Sequence, residues 1–230
     1  MPSLLKAMKS QVGRKIITGI TGIGLMLFLV SHLVGNLTIF GDSNAFNLYT
    51  NTLKDLGPLL YVAEAGLAFI FIYHAVLGFS IWNNRRKVRP NSYKVHKSKG
   101  GPSHMNLASK SMMITGIIIL VFVILHVIHF KFGAEYVVEG SGIRDLRKLV
   151  IEEFQKAWVV IGYVAVLGLM TLHLAHGFWS AFTSLGMQNK STSKRMQMIG
   201  YGFSIILMLA FIFIPLYIFI TSGNGSLISH

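Results

Sequence analysis

Residues 67–82 read "LAFIFIYHAVLGFSIW", a stretch apolar enough to cross a lipid bilayer that nonetheless carries an imidazole, His74, near its middle. Three other apolar stretches do the same: "LMLFLVSHLVGNL" (25–37), "VFVILHVIHF" (121–130) and "VLGLMTLHLAHGFW" (166–179). Ionisable side chains inside hydrocarbon are costly, and those that persist there are mostly functional. One such histidine could be a packing detail, but four segments that each carry one need a common cause.

Composition supports reading these stretches as membrane spans. The chain has 230 residues, 53% hydrophobic and 13% charged, where soluble domains carry about 25% charged residues. Its charges are crowded into short stretches between long uncharged runs, the pattern of a polytopic membrane protein. A span takes about 20 residues, because the hydrocarbon core is about 30 Å thick and a helix rises about 1.5 Å per residue. Five segments qualify: 15–40, 58–84, 109–132, 156–185 and 196–221. The expected fold is therefore an all-α membrane protein, one domain over residues 1–230 with five transmembrane helices in a bundle. The apolar run that follows the basic N-terminus is longer than the 7–15 residue core of a signal peptide and is expected to be retained as the first span. The chain contains no cysteine, which excludes disulfides, thiolate metal sites and cysteine-held iron–sulfur clusters within it.

The net charge of +13 does not point to nucleic acid. The basic residues sit in the connections, where they set topology and meet lipid phosphates or a partner subunit. Three stretches are basic: the N-terminus (Lys6, Lys9, Arg14, Lys15), the loop 85–108 (Arg85, Arg86, Lys87, Arg89, Lys94, Lys97, Lys99) and the loop 186–195 (Lys190, Lys194, Arg195). With five spans all three fall on one side, so the N-terminus is expected inside and the C-terminus outside. The remaining connections differ in character. Residues 41–57 are expected to hold a short surface helix capped by Ser43, and "IRDLRKLVIEEFQKAW" (143–158) reads as an amphipathic lead-in to the fourth span.

Of nine histidines, His96, His104 and His230 lie outside the spans and read as solvated surface groups. The other six, His32, His74, His126, His129, His173 and His176, lie inside spans one to four. Depth sorts them. His32 and His126 each lie about 17 residues into an outward-running span, hence about 25 Å from the inner surface. His74, His173 and His176 lie about 9–12 residues from the inner ends of the two inward-running spans, hence about 14–18 Å. Two layers result, each shared by two helices and about 10 Å apart along the membrane normal. Two neutral imidazoles facing each other suit the axial positions of a haem iron, and two such layers make a path for electrons. Zinc takes four converging ligands, and no carboxylate or thiolate completes a shell here. Spacing leaves His126 against His129, and His173 against His176, open. Gly35, Gly78 and Gly177 follow His32, His74 and His173 by three or four residues and would give a macrocycle close access to the backbone; Gly133 follows His129 in the same way. No convincing internal repeat is apparent.

The motifs "SHLVGN" (31–36), "IYHAVLG" (72–78), "FVILHV" (122–127) and "HLAHGFWS" (173–180) resemble, in that order, the single-chain di-haem cytochrome b subunit of bacterial succinate dehydrogenases and fumarate reductases. The resemblance covers nearly the whole chain. It implies a membrane anchor in the bacterial inner membrane, with two haem b groups, a flavoprotein and an iron–sulfur subunit docked on the cytoplasmic face, and electron exchange with membrane quinone, menaquinone by analogy with di-haem relatives. Higher oligomers of the complex fit the same implication. It also implies ligand pairs, His32 with His126 and His74 with His173, leaving His129 and His176 as alternates. Arg14, Lys15, Arg85 and Arg86 become candidates for docking or for facing haem propionates. Glu64, the one acidic residue inside a span, is the candidate proton relay or quinone contact. Ser31 and Asn36, beside His32, are further quinone candidates. Some relatives carry a glutamate in span four; "LGLMTLH" (167–173) has none, which puts that proton route in doubt. The rival readings are the cytochrome b anchor of a nitrate reductase or hydrogenase, which pairs its helices differently, and a haem-free transporter relaying protons through its histidines.

Overall fold

The structure is a computed structural model and describes residues 4–42, 44–88 and 107–222. Among these residues the chain is helical, with one isolated antiparallel bridge, Val137 to Arg144, and no strand. The helices are α1 (Leu4–Lys9), α2 (Gln11–Leu37), α3 (Ala45–Lys54), α4 (Pro58–Val88), α5 (Leu107–Phe130), α6 (Leu146–Phe154), α7 (Ala157–Ser184) and α8 (Ser193–Ser222). Five are long and apolar enough to cross a membrane, over Gln11–Phe40, Pro58–Asn84, Ala108–Phe130, Ala157–Ser184 and Ser193–Thr221. The protein is thus a multi-pass membrane protein, with span limits within a few residues of those expected.

Local chemistry sets the helix ends. Ser10 separates α1 from α2, its hydroxyl accepting from the Gly13 amide at 3.0 Å. Gly57, in the left-handed region at φ +55°, turns the chain into α4, whose first residue is Pro58. Gly186, at φ +74°, ends α7, and the Met187 amide bonds back to the Phe182 carbonyl at 3.0 Å, a glycine-terminated stop. The basic loop at 89–106, with His96 and His104, and also His230 and Ser43, lie outside the described residues. The short helix expected after Ser43 is present as α3, with Asn44 at its N-cap. The expected lead-in to span four is a separate helix, α6. It is capped by Asp145, whose carboxylate accepts from the Lys148 amide, and the chain breaks at Gln155 and Lys156 before α7 starts.

The long helices do not hide their apolar side chains. On α4, Phe69, Ile72, Val76 and Phe79 are between 54% and 67% exposed and share one face. An outward face that apolar suits lipid, not water. Inside the spans, hydroxyls turn back on their own helix: Thr18 bonds the Arg14 carbonyl, Thr183 that of Trp179, and Ser204 that of Gly200.

The chain divides into two compact units. The first comprises residues 1–27, 66–117 and 170–205, the second 28–65, 118–169 and 206–230, so each of the five long helices contributes a stretch to both. The first unit packs on small residues. A Cβ added at Gly19 would meet the Ala181 backbone at 3.3 Å, and one at Gly200 the Ala175 carbonyl at 3.1 Å, the close backbone approach typical of membrane helices. The second unit has a core of large side chains, among them Ile39, Phe46, Ile151, Phe154, Val160 and Ile218, because the two short helices α3 and α6 lie against it. There Asn47, only 4% exposed, clips α3 to α6: its amide donates to Asp145 Oδ1 at 2.8 Å and its carbonyl accepts from the Arg147 amide at 2.9 Å.

Candidate haem-ligand histidines

Each unit contains three span histidines: His74, His173 and His176 in the first, His32, His126 and His129 in the second. In the second unit the rings of His32 and His126 stand 5.9 Å apart between centroids, with planes at 86°. Two imidazoles that share one metal stand roughly 6 Å apart by centroid, given metal–nitrogen bonds of about 2 Å. Aromatic rings line the pair. His32 stacks on Phe28 at 5.4 Å and approaches Phe211, while His126 lies against Phe122 and Phe130. The Nδ1 of His126 is 3.0 Å from the Tyr163 hydroxyl.

In the first unit His74 and His173 are near enough to interact electrostatically. Each is held by a threonine of another helix. His74 Nδ1 is 3.0 Å from Thr21 Oγ1, and His173 Nδ1 is 3.1 Å from Thr115 Oγ1. The residue after each threonine is glycine, and the ring lies against it: a Cβ at Gly22 would meet His74 Cε1 at 3.2 Å, one at Gly116 would meet His173 Cε1 at 3.5 Å. Arg14, a basic candidate near this pair in sequence terms, donates to the Ser80 hydroxyl at 2.7 Å.

The two alternates meet different partners. His129 Nε2 is 3.2 Å from Glu153 Oε2, and Glu153 also takes Lys156 at 2.7 Å. His176 Nδ1 is 3.0 Å from the Ser109 hydroxyl, and its ring meets Trp179 edge-on at 4.8 Å. Glu64 pairs with Lys131 and is half exposed. Ser31 is exposed and donates to the Phe28 carbonyl; the Asn36 amide donates to the His32 carbonyl at 2.8 Å. Of the glycines expected to admit a macrocycle, Gly78 and Gly177 face open space, but Gly35 does not: the Tyr49 ring packs on it. Gly133 is crowded by the His129 carbonyl at the end of α5 and opens nothing either.

Among the described residues no three histidine or acidic side chains gather to hold a metal ion by themselves. Paired imidazoles without a third protein ligand are the donor set that fits an iron whose other four positions belong to a macrocycle. Thr21, Thr115 and Tyr163 escaped the reading of the sequence. A partial signal for the threonines was there: Thr-Gly occurs at 18–19, 21–22 and 115–116, and a histidine follows 11 residues after Thr21 and after Thr115, at His32 and His126. Eleven residues is about three turns, so each Thr and His share a helix face.

No family model matches the chain, and no solved structure matches it. A curated relative does: the chain is 26% identical over 200 residues to the succinate dehydrogenase cytochrome b558 subunit of Bacillus subtilis (strain 168), spanning 86% of this chain and 89% of that one, and the resemblance read from the four histidine motifs is thereby borne out.

Proposed function

We propose that this chain is the membrane anchor of a respiratory succinate:quinone oxidoreductase, holding two haem b groups between four histidines. The single observation that carries the reading is the meeting of two span histidines from different helices, His32 against His126 at 5.9 Å between ring centroids, and His74 with His173 is proposed as the second pair. The name of the B. subtilis relative supports the same assignment. When bound, the haems would carry single electrons between an iron–sulfur partner and membrane quinone, with menaquinone the expected type. The chain's own residues bind, orient and shield. The four imidazoles supply axial nitrogens, and the rings of Phe28, Phe122, Phe130 and Phe211 keep water from the His32–His126 pair.

The chain lies in a bacterial cytoplasmic membrane with its N-terminus inside. His74 and His173 then form the inner layer, nearer the flavoprotein and iron–sulfur subunits, and His32 and His126 the outer. The basic N-terminal residues Lys6, Lys9, Arg14 and Lys15 face the docked subunits. Glu64 is the proton-exchanging group for quinone chemistry: it is half exposed, and taking up a proton at its carboxylate would dissolve its ion pair with Lys131. Ser31 uses its one donor and Asn36 one of its two on helix carbonyls, which leaves the Ser31 oxygen and the Asn36 amide oxygen as atoms that could accept from a quinol.

The test is a reduced-minus-oxidised spectrum of the purified complex with haem b counted per anchor chain. Two haems are expected. None, in a folded protein supplied with haem, would end the cytochrome reading and leave a histidine-relay transporter in first place.

A further inference from the structure

We propose that Thr21 and Thr115 are positioning residues for the inner iron site. Each fixes one ring, His74 or His173, with Nδ1 protonated and Nε2 bare, and makes that bare nitrogen a stronger donor. The inference rests on the haem reading above and deepens it.

The tautomer follows from counting protons. A threonine hydroxyl has one. Thr21 directs it back to its own helix, to the Ile17 carbonyl at 2.9 Å, with that of Thr18 at 3.1 Å. Thr115 does the same, to the Ser111 carbonyl at 3.0 Å, with that of Met112 at 3.2 Å. With the hydroxyl proton on a helix carbonyl, each oxygen offers the imidazole a lone pair and the ring donates from Nδ1, the arrangement that leaves Nε2 for a metal. A neutral imidazole has a single N–H. With Nδ1 protonated, Nε2 is left with its lone pair, the form a metal binds.

The glycine beside each threonine completes the arrangement. Gly22 and Gly116 let the Cε1 edge of the ring settle against the helix, where a Cβ would stand at 3.2 and 3.5 Å. Threonine supplies the acceptor, glycine the room. The same dipeptide does this on two helices for two histidines, and Thr115 is only 2% exposed, so no water competes for its oxygen. A second group that accepts from a ligand imidazole orients the ring and raises its basicity; removing such a partner weakens metal binding about 10–100-fold. A more basic ligand favours the ferric state and lowers the haem potential.

The assembled membrane complex carrying Thr21→Val, Thr115→Val, or both, compared with Thr21→Ser and Thr115→Ser, provides the test. Potentiometric titration followed optically, and the low-spin ferric EPR signals, are read for both haems. Each Val variant should shift the midpoint potential of one haem upward and alter its EPR signal, or release that haem about 10–100-fold more readily. The other haem stays put, and the Ser variants return to wild type. Val variants whose two haems keep wild-type potentials and signals would overturn the proposal. So would Ser variants that shift as far as the Val ones, since the hydroxyl would then not be the active group. Failure of the underlying reading looks different: His74→Ala and His173→Ala complexes that retain both haems would remove these ligands whatever the threonines do.

Discussion

His126 and His129 lie three residues apart on α5 and share a helix face, so spacing could not choose between them. The choice lies in what other segments bring to that face. His126 meets His32 and the Tyr163 hydroxyl, whereas His129 meets the buried carboxylate of Glu153. His126→Leu should therefore cost the complex one haem, and His129→Gln none; pyridine haemochrome counts on both variants decide this, and loss of haem from the second would reverse the assignment. Outside the spans a different residue gives a pH dependence. The Tyr136 phenol donates to Glu152 at 2.6 Å, and that hydrogen bond, first among its causes, holds the phenol above its ordinary pKa. A pKa raised by folding stabilises the protein below the ordinary tyrosine value of about 10, and the benefit is lost as pH climbs through the raised one. The Tm difference between wild type and Tyr136→Phe should thus be largest at neutral pH and shrink in strongly alkaline buffer. A difference that widens with pH would contradict the hydrogen bond.

Among the elements, the short helices are the ones the sequence only half disclosed. The amphipathic character of residues 143–158 was legible, but the break at Gln155 and Lys156 was not, because neither glycine nor proline marks it. Asn47 is a polar residue in an unremarkable surface stretch until α3 and α6 meet around it. Its two bonds join an amide to a carboxylate and a carbonyl to a backbone amide. Asn47→Ala should lower stability by about 1–3 kcal/mol, the cost of leaving buried polar groups unpaired. Asn47→Asp should cost more, since it sets a second carboxylate against Asp145. Thermal unfolding of the purified complex gives the order, and an Asp variant as stable as wild type would show the clip to be idle. Arg144 serves α5 similarly. Its guanidinium donates to the Phe130 and Lys131 carbonyls at 3.2 and 3.3 Å, satisfying groups that the helix end leaves free. Arg144→Ala should speed hydrogen exchange in the last turn of α5 while leaving α7 unchanged.

For the molecule as a whole, the pairing of histidines makes a prediction that no single site does. Alanine variants of His32, His74, His126 and His173 should sort into two classes of two. His32 and His126 variants lose one spectral component, and His74 and His173 variants the other. Any other sorting, such as His32 grouping with His74, would favour the anchor of a different respiratory complex.

The sequence by itself determined five apolar spans, the confinement of charge to the connections and the presence of histidine in spans one to four, because hydrophobic length and the cost of ionisable groups in lipid are properties of the local chain. It also carried enough ordered motif to lead to the right relative. Only the tertiary structure decided which histidine meets which partner, that the Tyr49 ring packs on Gly35, and that Thr21 and Thr115 hold the rings of His74 and His173. Those contacts join residues 53 and 58 positions apart in the chain, and a hydrogen bond across that separation leaves no periodicity for a sequence to show.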